Sequence, residues 1–174
     1  MIRKTIYLIL LLIFIAGLGY VAYRFYDIQK NGNNAALFEK YFKPYSNYWT
    51  NNLADSDTSH FEVIAMKYYD TKDYNLAIET FHRFEPEKAD DGNYNLYLGI
   101  SYIQTGFDNL AEIHLYTAVD SYKEFNNIYT AKWYLALAYL KSERIKECKK
   151  LLTEIINVNA PFKNKAKELL EELN

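Results

Sequence analysis

The chain is short of the residues that most chemistry depends on. It has one cysteine, Cys148, so no disulfide can form within it, and no cysteine follows the apolar N-terminal run, which excludes lipid attachment there. Glycine is scarce, and no glycine-rich loop is placed to cradle a phosphate; Gly17 and Gly19 lie inside the apolar run. The histidines, His60, His82 and His114, fall at unrelated places with no partner at metal-ligand spacing, so no metal or other cofactor is expected. No nucleophile motif is evident. Carboxylates are common, but they sit in turns such as Glu85-Pro86-Glu87 and Asp90-Asp91 or alternate with lysine, as solvated faces do. The net charge is only −2 and the one basic run, 141–150, is diluted by Glu143 and Glu147, which argues against nucleic acid as a partner. No enzyme is expected. Low-complexity segments are absent.

What the chain does have is a repeat. Gly99-x2-Tyr102 is followed by Ala111-x3-Leu115; upstream the same places hold Ala65-x2-Tyr68 and Ala77-x3-Phe81, and downstream Ala136-x2-Tyr139 and Cys148-x3-Leu152. The first offset is 34 residues throughout and the second 37, the three extra residues being expected in a loop within SYKEFNNIY. A small side chain on each of two helices lets their axes approach, and an aromatic fills the space to the next hairpin. Cys148, at a small-residue place, is expected as buried filler.

Small, aromatic, small and large side chains in register at a period near 34 resemble the tetratricopeptide repeat. The resemblance covers roughly residues 58–157, and no copy is complete: Trp133 lies one place closer to Tyr139 than the pattern asks, and the terminal proline is displaced to Pro86 and Pro161. It implies an all-α fold, a short right-handed α-solenoid of three hairpins (58–91, 92–128, 129–160) within a repeat domain 58–174, closed by a C-terminal capping helix over 161–174. In that family the first helix of each hairpin lines a concave groove. The places that would do so here are Glu62, Met66 and Tyr69, then Leu96, Ile100 and Ile103, then Trp133, Leu137 and Leu140. Eight of the nine are apolar or aromatic, which suits a helical or extended protein segment with apolar anchors. Trp133 and Tyr69 are the expected energetic centres. Relatives that grip a chaperone tail use lysine, asparagine and arginine where this chain has Glu62, Met66, Tyr97, Thr130 and Tyr134, so that ligand is disfavoured.

Residues 5–23 carry no charge and are long enough as a helix to match the hydrocarbon thickness of a bilayer. Residues 1–26 therefore read as an N-terminal tail and membrane anchor; the rival, a cleaved signal peptide, has a shorter apolar core of about 7–15 residues. The resemblance is then to bacterial single-pass repeat proteins, with the repeats on the outer side of the inner membrane. Ala16, Gly19 and Ala22 form a stripe that would let a second anchor approach. Residues 27–57 read as a spacer breaking at Asn31-Gly32-Asn33-Asn34, then an aromatic segment (Phe38, Tyr41, Phe42, Tyr45, Tyr48, Trp49) that caps the first repeat, its helix ending before Pro44. Asp57, Thr58 or Ser59 would cap the next helix.

Three functional readings follow. The first is an adaptor or assembly factor that holds a protein segment in the groove. The second is a closed scaffold whose groove is filled by the chain's own N-terminal segment. The third is a homo-oligomer formed through the same face.

Overall fold

The computed structural model describes residues 2–50, 61–83 and 89–174; within the first helix, the side chains of 2–6, 8, 10 and 27–32 lie outside the description. The described residues form eight helices and no strand: α1 (Ile2–Tyr41), α2 (Phe61–Asp70), α3 (Tyr74–His82), α4 (Gly92–Thr105), α5 (Asp108–Ser121), α6 (Phe125–Lys141), α7 (Ile145–Asn157) and α8 (Lys163–Glu172). The fold is all-α. Helices α2 and α3, α4 and α5, and α6 and α7 pair as hairpins, each hairpin packs on the next, and α8 packs on α7. The first helices also touch in series, α2 on α4 and α4 on α6, while α1 lies against α6 and α8.

The three hairpin turns are built alike. Lys72, Gly106 and Glu143 stand at the 34- and 37-residue offsets, and all three have a left-handed backbone, with φ of 65°, 81° and 61°. In each turn the next amide donates back across the helix end: Asp73 to Tyr68, Phe107 to Tyr102 and Arg144 to Tyr139. One left-handed residue thus reverses the chain and satisfies carbonyls that the helix end leaves open. Only the middle turn uses glycine; Lys72 and Glu143 carry side chains into a region that glycine enters at least cost.

A small-to-large contact holds the middle pair together. A Cβ placed on Gly99 would lie 2.7 Å from Leu115 Cγ and 3.2 Å from the Leu115 backbone nitrogen. Ala65, Ala77, Phe81, Ala111, Leu115, Ala136, Cys148 and Leu152 are fully buried, so the repeated small and large places are interior in all three hairpins, while the aromatic place is half-buried at Tyr68 and Tyr139. Burial also pushes the Cys148 thiol up to about 12, which keeps it protonated and unreactive. Helix α4 is the middle layer, with every residue from Tyr94 to Ile103 buried; Asp91 opens it by accepting the Tyr94 amide at 2.9 Å.

Several expectations change. The three extra residues before the third hairpin do not lengthen a loop: α6 has 17 residues where α4 has 14. Nor does the chain break at Asn31-Gly32-Asn33-Asn34, because α1 runs through it to Tyr41. The cost of glycine and asparagine inside a helix, up to about 1 kcal/mol each, is offset by packing just beyond, where Asn34, Leu37, Phe38 and Tyr41 are buried. That end is pinned further by Glu172 of α8, which accepts from Lys40 Nζ at 2.7 Å and from the Tyr41 hydroxyl at 2.5 Å. Pro161 precedes α8 rather than opening it, whereas Ala166 and Leu169 are buried as the amphipathic pattern requires.

The single-pass anchor and the inner-membrane placement drawn from it are corrected as well. Among the described residues no helix is long and apolar enough to cross a membrane. Of the expected segment 5–23, the side chains of 5, 6, 8 and 10 lie outside the described residues. What is described is an exposed apolar helix surface, from Tyr7 and Ile9 to Phe25 and Tyr26, each more than half exposed.

The turns and the close contact generate opposite mutational outcomes. Lys72→Gly and Glu143→Gly should each raise stability by about 0.5–1 kcal/mol, because relief of left-handed strain outweighs the added freedom of the unfolded chain. Gly99→Leu should lower it by about 1–3 kcal/mol through overpacking against Leu115. Thermal melts of the full chain, read by circular dichroism, check both signs.

Candidate functional site

The inner surface formed by α2, α4 and α6 is not open. After Tyr41 the chain leaves its helix, and residues 42–50 run as an arm without helix or strand. Pro44 explains the change: it lacks the amide a helix would use, and its ring turns Lys43 away from helical geometry. Extended residues alternate faces. Tyr45, Asn47 and Trp49 turn toward the body and are buried or half-buried, while Ser46 and Tyr48 are exposed.

The body holds this arm by its main chain. The Tyr134 hydroxyl of α6 donates to the Lys43 carbonyl, the Tyr69 hydroxyl of α2 to the Tyr45 carbonyl and the Tyr97 hydroxyl of α4 to the Ser46 carbonyl, each at 2.8 Å. The Tyr97 oxygen also accepts the Tyr48 amide at 2.9 Å. One tyrosine from the first helix of every hairpin thus supplies a polar group to the arm's main chain. Each bond satisfies a backbone group that burial would leave without water.

Side chains of the arm fill the space between those bonds. The Tyr45 ring lies 5.8 Å from that of Tyr134 and 6.2 Å from that of Tyr97, with Thr130 near its hydroxyl. Trp49 stacks nearly parallel on Phe81 and Tyr97, at 6.2 and 6.1 Å. Asn47 donates to Asp70 Oδ2 at 2.9 Å and accepts the Thr50 amide at 3.1 Å, which closes the end of the arm in a local turn. At the other end Tyr41 meets Trp133 edge-on at 6.4 Å, and Phe162, itself left-handed at φ 65°, stacks on Trp133 at 5.3 Å.

The nine residues expected to line a binding groove are therefore mostly interior. Met66, Tyr69, Leu96, Ile100, Ile103, Trp133, Leu137 and Leu140 are each 3% exposed or less, and only Glu62 is half-buried. Tyr69 touches the arm directly; Trp133 is covered by α1 and Phe162. The aromatic segment does not cap the outer end of the first repeat, since it crosses the inner faces of all three hairpins. Tyr97 and Tyr134 hold the arm together with Tyr69; the repeat resemblance had marked the places of Tyr97 and Tyr134 as ligand-gripping, but their lack of charge pointed away from binding. The signal was present in composition: tyrosine joins a large apolar ring to one hydrogen-bonding tip, which suits a buried surface that must grip a backbone.

Histidines take structural places. His82 Nε2 lies 2.6 Å from the Tyr102 hydroxyl, and His114 Nδ1 lies 2.9 Å from Asn95 Oδ1 with its ring stacked on Tyr102. His60 and the helix cap expected from Asp57, Thr58 or Ser59 fall outside the described residues. Among the described residues no group of histidine, cysteine, aspartate or glutamate is placed to hold a metal ion.

Burial raises the phenols of Tyr69, Tyr97 and Tyr134 above their usual value of 10.0. A folded-state value above the unfolded one means that the native chain keeps its protons longer. Stability from these groups is thus complete below pH 10 and falls as pH rises beyond it. Ionisation would also remove the donors to Lys43, Tyr45 and Ser46. Melting temperature is expected to be level up to about pH 9 and to drop above pH 10, together with a delayed tyrosinate absorbance. Tyr97→Phe, which deletes two bonds to the arm, should cost about 1–3 kcal/mol and speed hydrogen exchange at the Tyr48 amide.

Compared with known proteins, the chain matches no family model and no curated protein.

Proposed function

We propose that this chain is a non-catalytic scaffold of the tetratricopeptide type: three hairpins stacked as a short right-handed solenoid, with the inner groove occupied by the chain's own arm. Support for the repeat reading comes from the left-handed residues at 72, 106 and 143 and from the burial of the small and large places at the same two offsets. The observation that carries the closed reading is the set of four hydrogen bonds between the hydroxyls of Tyr69, Tyr97 and Tyr134 and the backbone of residues 43–48. In the family's chaperone-binding members the places of Tyr97 and Tyr134, with Thr130, belong to a charged clamp. Here uncharged hydroxyls stand there and grip main chain.

The work such a module does is mechanical. Lys40, Tyr41 and the arm fasten the long α1 to α6 and α8, so α1 and the hairpins move as one piece and α1 is presented at a fixed angle. An adaptor that takes a foreign protein segment into the same groove would first have to displace the arm. It would then regain the arm's four bonds and two stacked aromatics only with a segment of similar chemistry.

A photo-reactive benzoylphenylalanine in place of Tyr45, in the full chain, tests the closed reading. Attachment to α4 or α6 near Tyr97, Thr130 or Tyr134 is the expected result. Attachment to a different protein in the native setting would replace the scaffold reading with the adaptor one.

A further inference from the structure

The bonds between arm and groove have an unusual property. The four made by tyrosines join residues 24, 49, 51 and 91 positions apart, and all four read the arm's main chain. None depends on the arm belonging to the same copy. Every copy carries both the groove and a segment already shown to fit it. Once the arm leaves, Tyr69, Phe81, Tyr97 and Tyr134 would lose their cover, and an exposed apolar surface of that kind favours recapture of a matching segment.

We propose that the groove takes the arm of a second copy of this chain, so that residues 1–50 exchange between two molecules. This rests on the closed reading above, since it requires the groove to be a receptor for the arm. Exchange of an identical element reproduces each native contact in the partner and is a low-cost route to a two-fold dimer. Ten residues, 51–60, separate the arm from α2, and a chain of that length reaches at most about 35 Å. The exposed apolar side chains of α1, Leu11 to Phe25 among them, give two copies a reason to meet, because burying these surfaces against each other removes them from water.

The exchanged unit includes the end of α1. Leu37, Phe38 and Tyr41, and the bonds of Lys40 and Tyr41 to Glu172, cross to the partner together with the arm. Two grooves are filled in the dimer as in the single chain. What is new is that the α1 helix of each molecule is seated on the other's hairpins.

The test mixes full-length chains carrying benzoylphenylalanine in place of Tyr45, half of them labelled with heavy isotopes, and irradiates them over a range of concentrations. Heavy-to-light attachments at Tyr97, Thr130 or Tyr134 should increase with concentration toward about half of all attachments, the share that random pairing gives. Attachments that reach these residues but join only equal isotopes at every concentration would overturn the exchange and leave the closed scaffold intact. Attachments that miss α2, α4 and α6 altogether would overturn both. A fluorescent peptide KPYSNYW, residues 43–49, gives a second readout on a full chain with Tyr45→Ala and Trp49→Ala. Saturable binding, weakened about tenfold or more by adding Tyr97→Phe and Tyr134→Phe, is expected, and no binding would contradict the groove's role as a receptor.

Discussion

The structure depends on three tyrosine hydroxyls meeting a backbone. The surface that Tyr69, Phe81, Tyr97 and Tyr134 present to the arm is largely aromatic and excludes water from the chain laid on it, and buried carbonyls without partners are costly. Tyr69, Tyr97 and Tyr134 remove that cost at three points, one on each hairpin. The same rings supply apolar area to the core. Without the hydroxyls the arm would have little reason to lie where it does, and without the arm the hydroxyls would be buried for nothing.

Because the arm is continuous with α1, the grip on nine residues decides the placement of a 40-residue helix. Leu37, Phe38 and Tyr41 reach the body through one face of α1, and Glu172 ties that face to the last helix. The ion pair itself is exposed and contributes little; the buried aromatics and the tyrosine bonds do most of the holding. Helix α6 is the hinge of this arrangement. It meets α1 through Trp133, the arm through Tyr134, and the middle hairpin through α4 and α5. Its three additional residues relative to α4 lengthen it on the side where the chain enters from α5.

Much of the body was legible in the sequence because its contacts are local. Gly99 meets Leu115 sixteen positions on, and the same distance relates Ala65 to Phe81 and Ala136 to Leu152, so a periodic pattern carries the information. The arm was not legible in the same way. Its partners lie up to 91 residues away, and the aromatic density of 38–49 fits an outer cap as well as an inner filling. Continuity through Asn31-Gly32-Asn33-Asn34 was hidden for a related reason: local propensity argues for a break, and the packing that overrides it comes from α6 and α8. The inward residues Leu137 and Ile103 were recognisable as apolar, but composition does not distinguish a groove awaiting a ligand from one already filled. An apolar run such as 5–23 likewise gives composition without surroundings.

The most direct measurement of the central claim is a nuclear Overhauser experiment on the full chain with Thr130 methyl-labelled. If the arm occupies the groove, the Tyr45 ring protons will show strong cross-peaks to the Thr130 methyl and to the Tyr134 ring, with the Thr130 methyl shifted by the nearby aromatics. Tyr45 resonances at free-chain positions, with no cross-peak to either residue, would contradict the account: the groove would then be open, and α1 would be joined to the hairpins without being fastened to them.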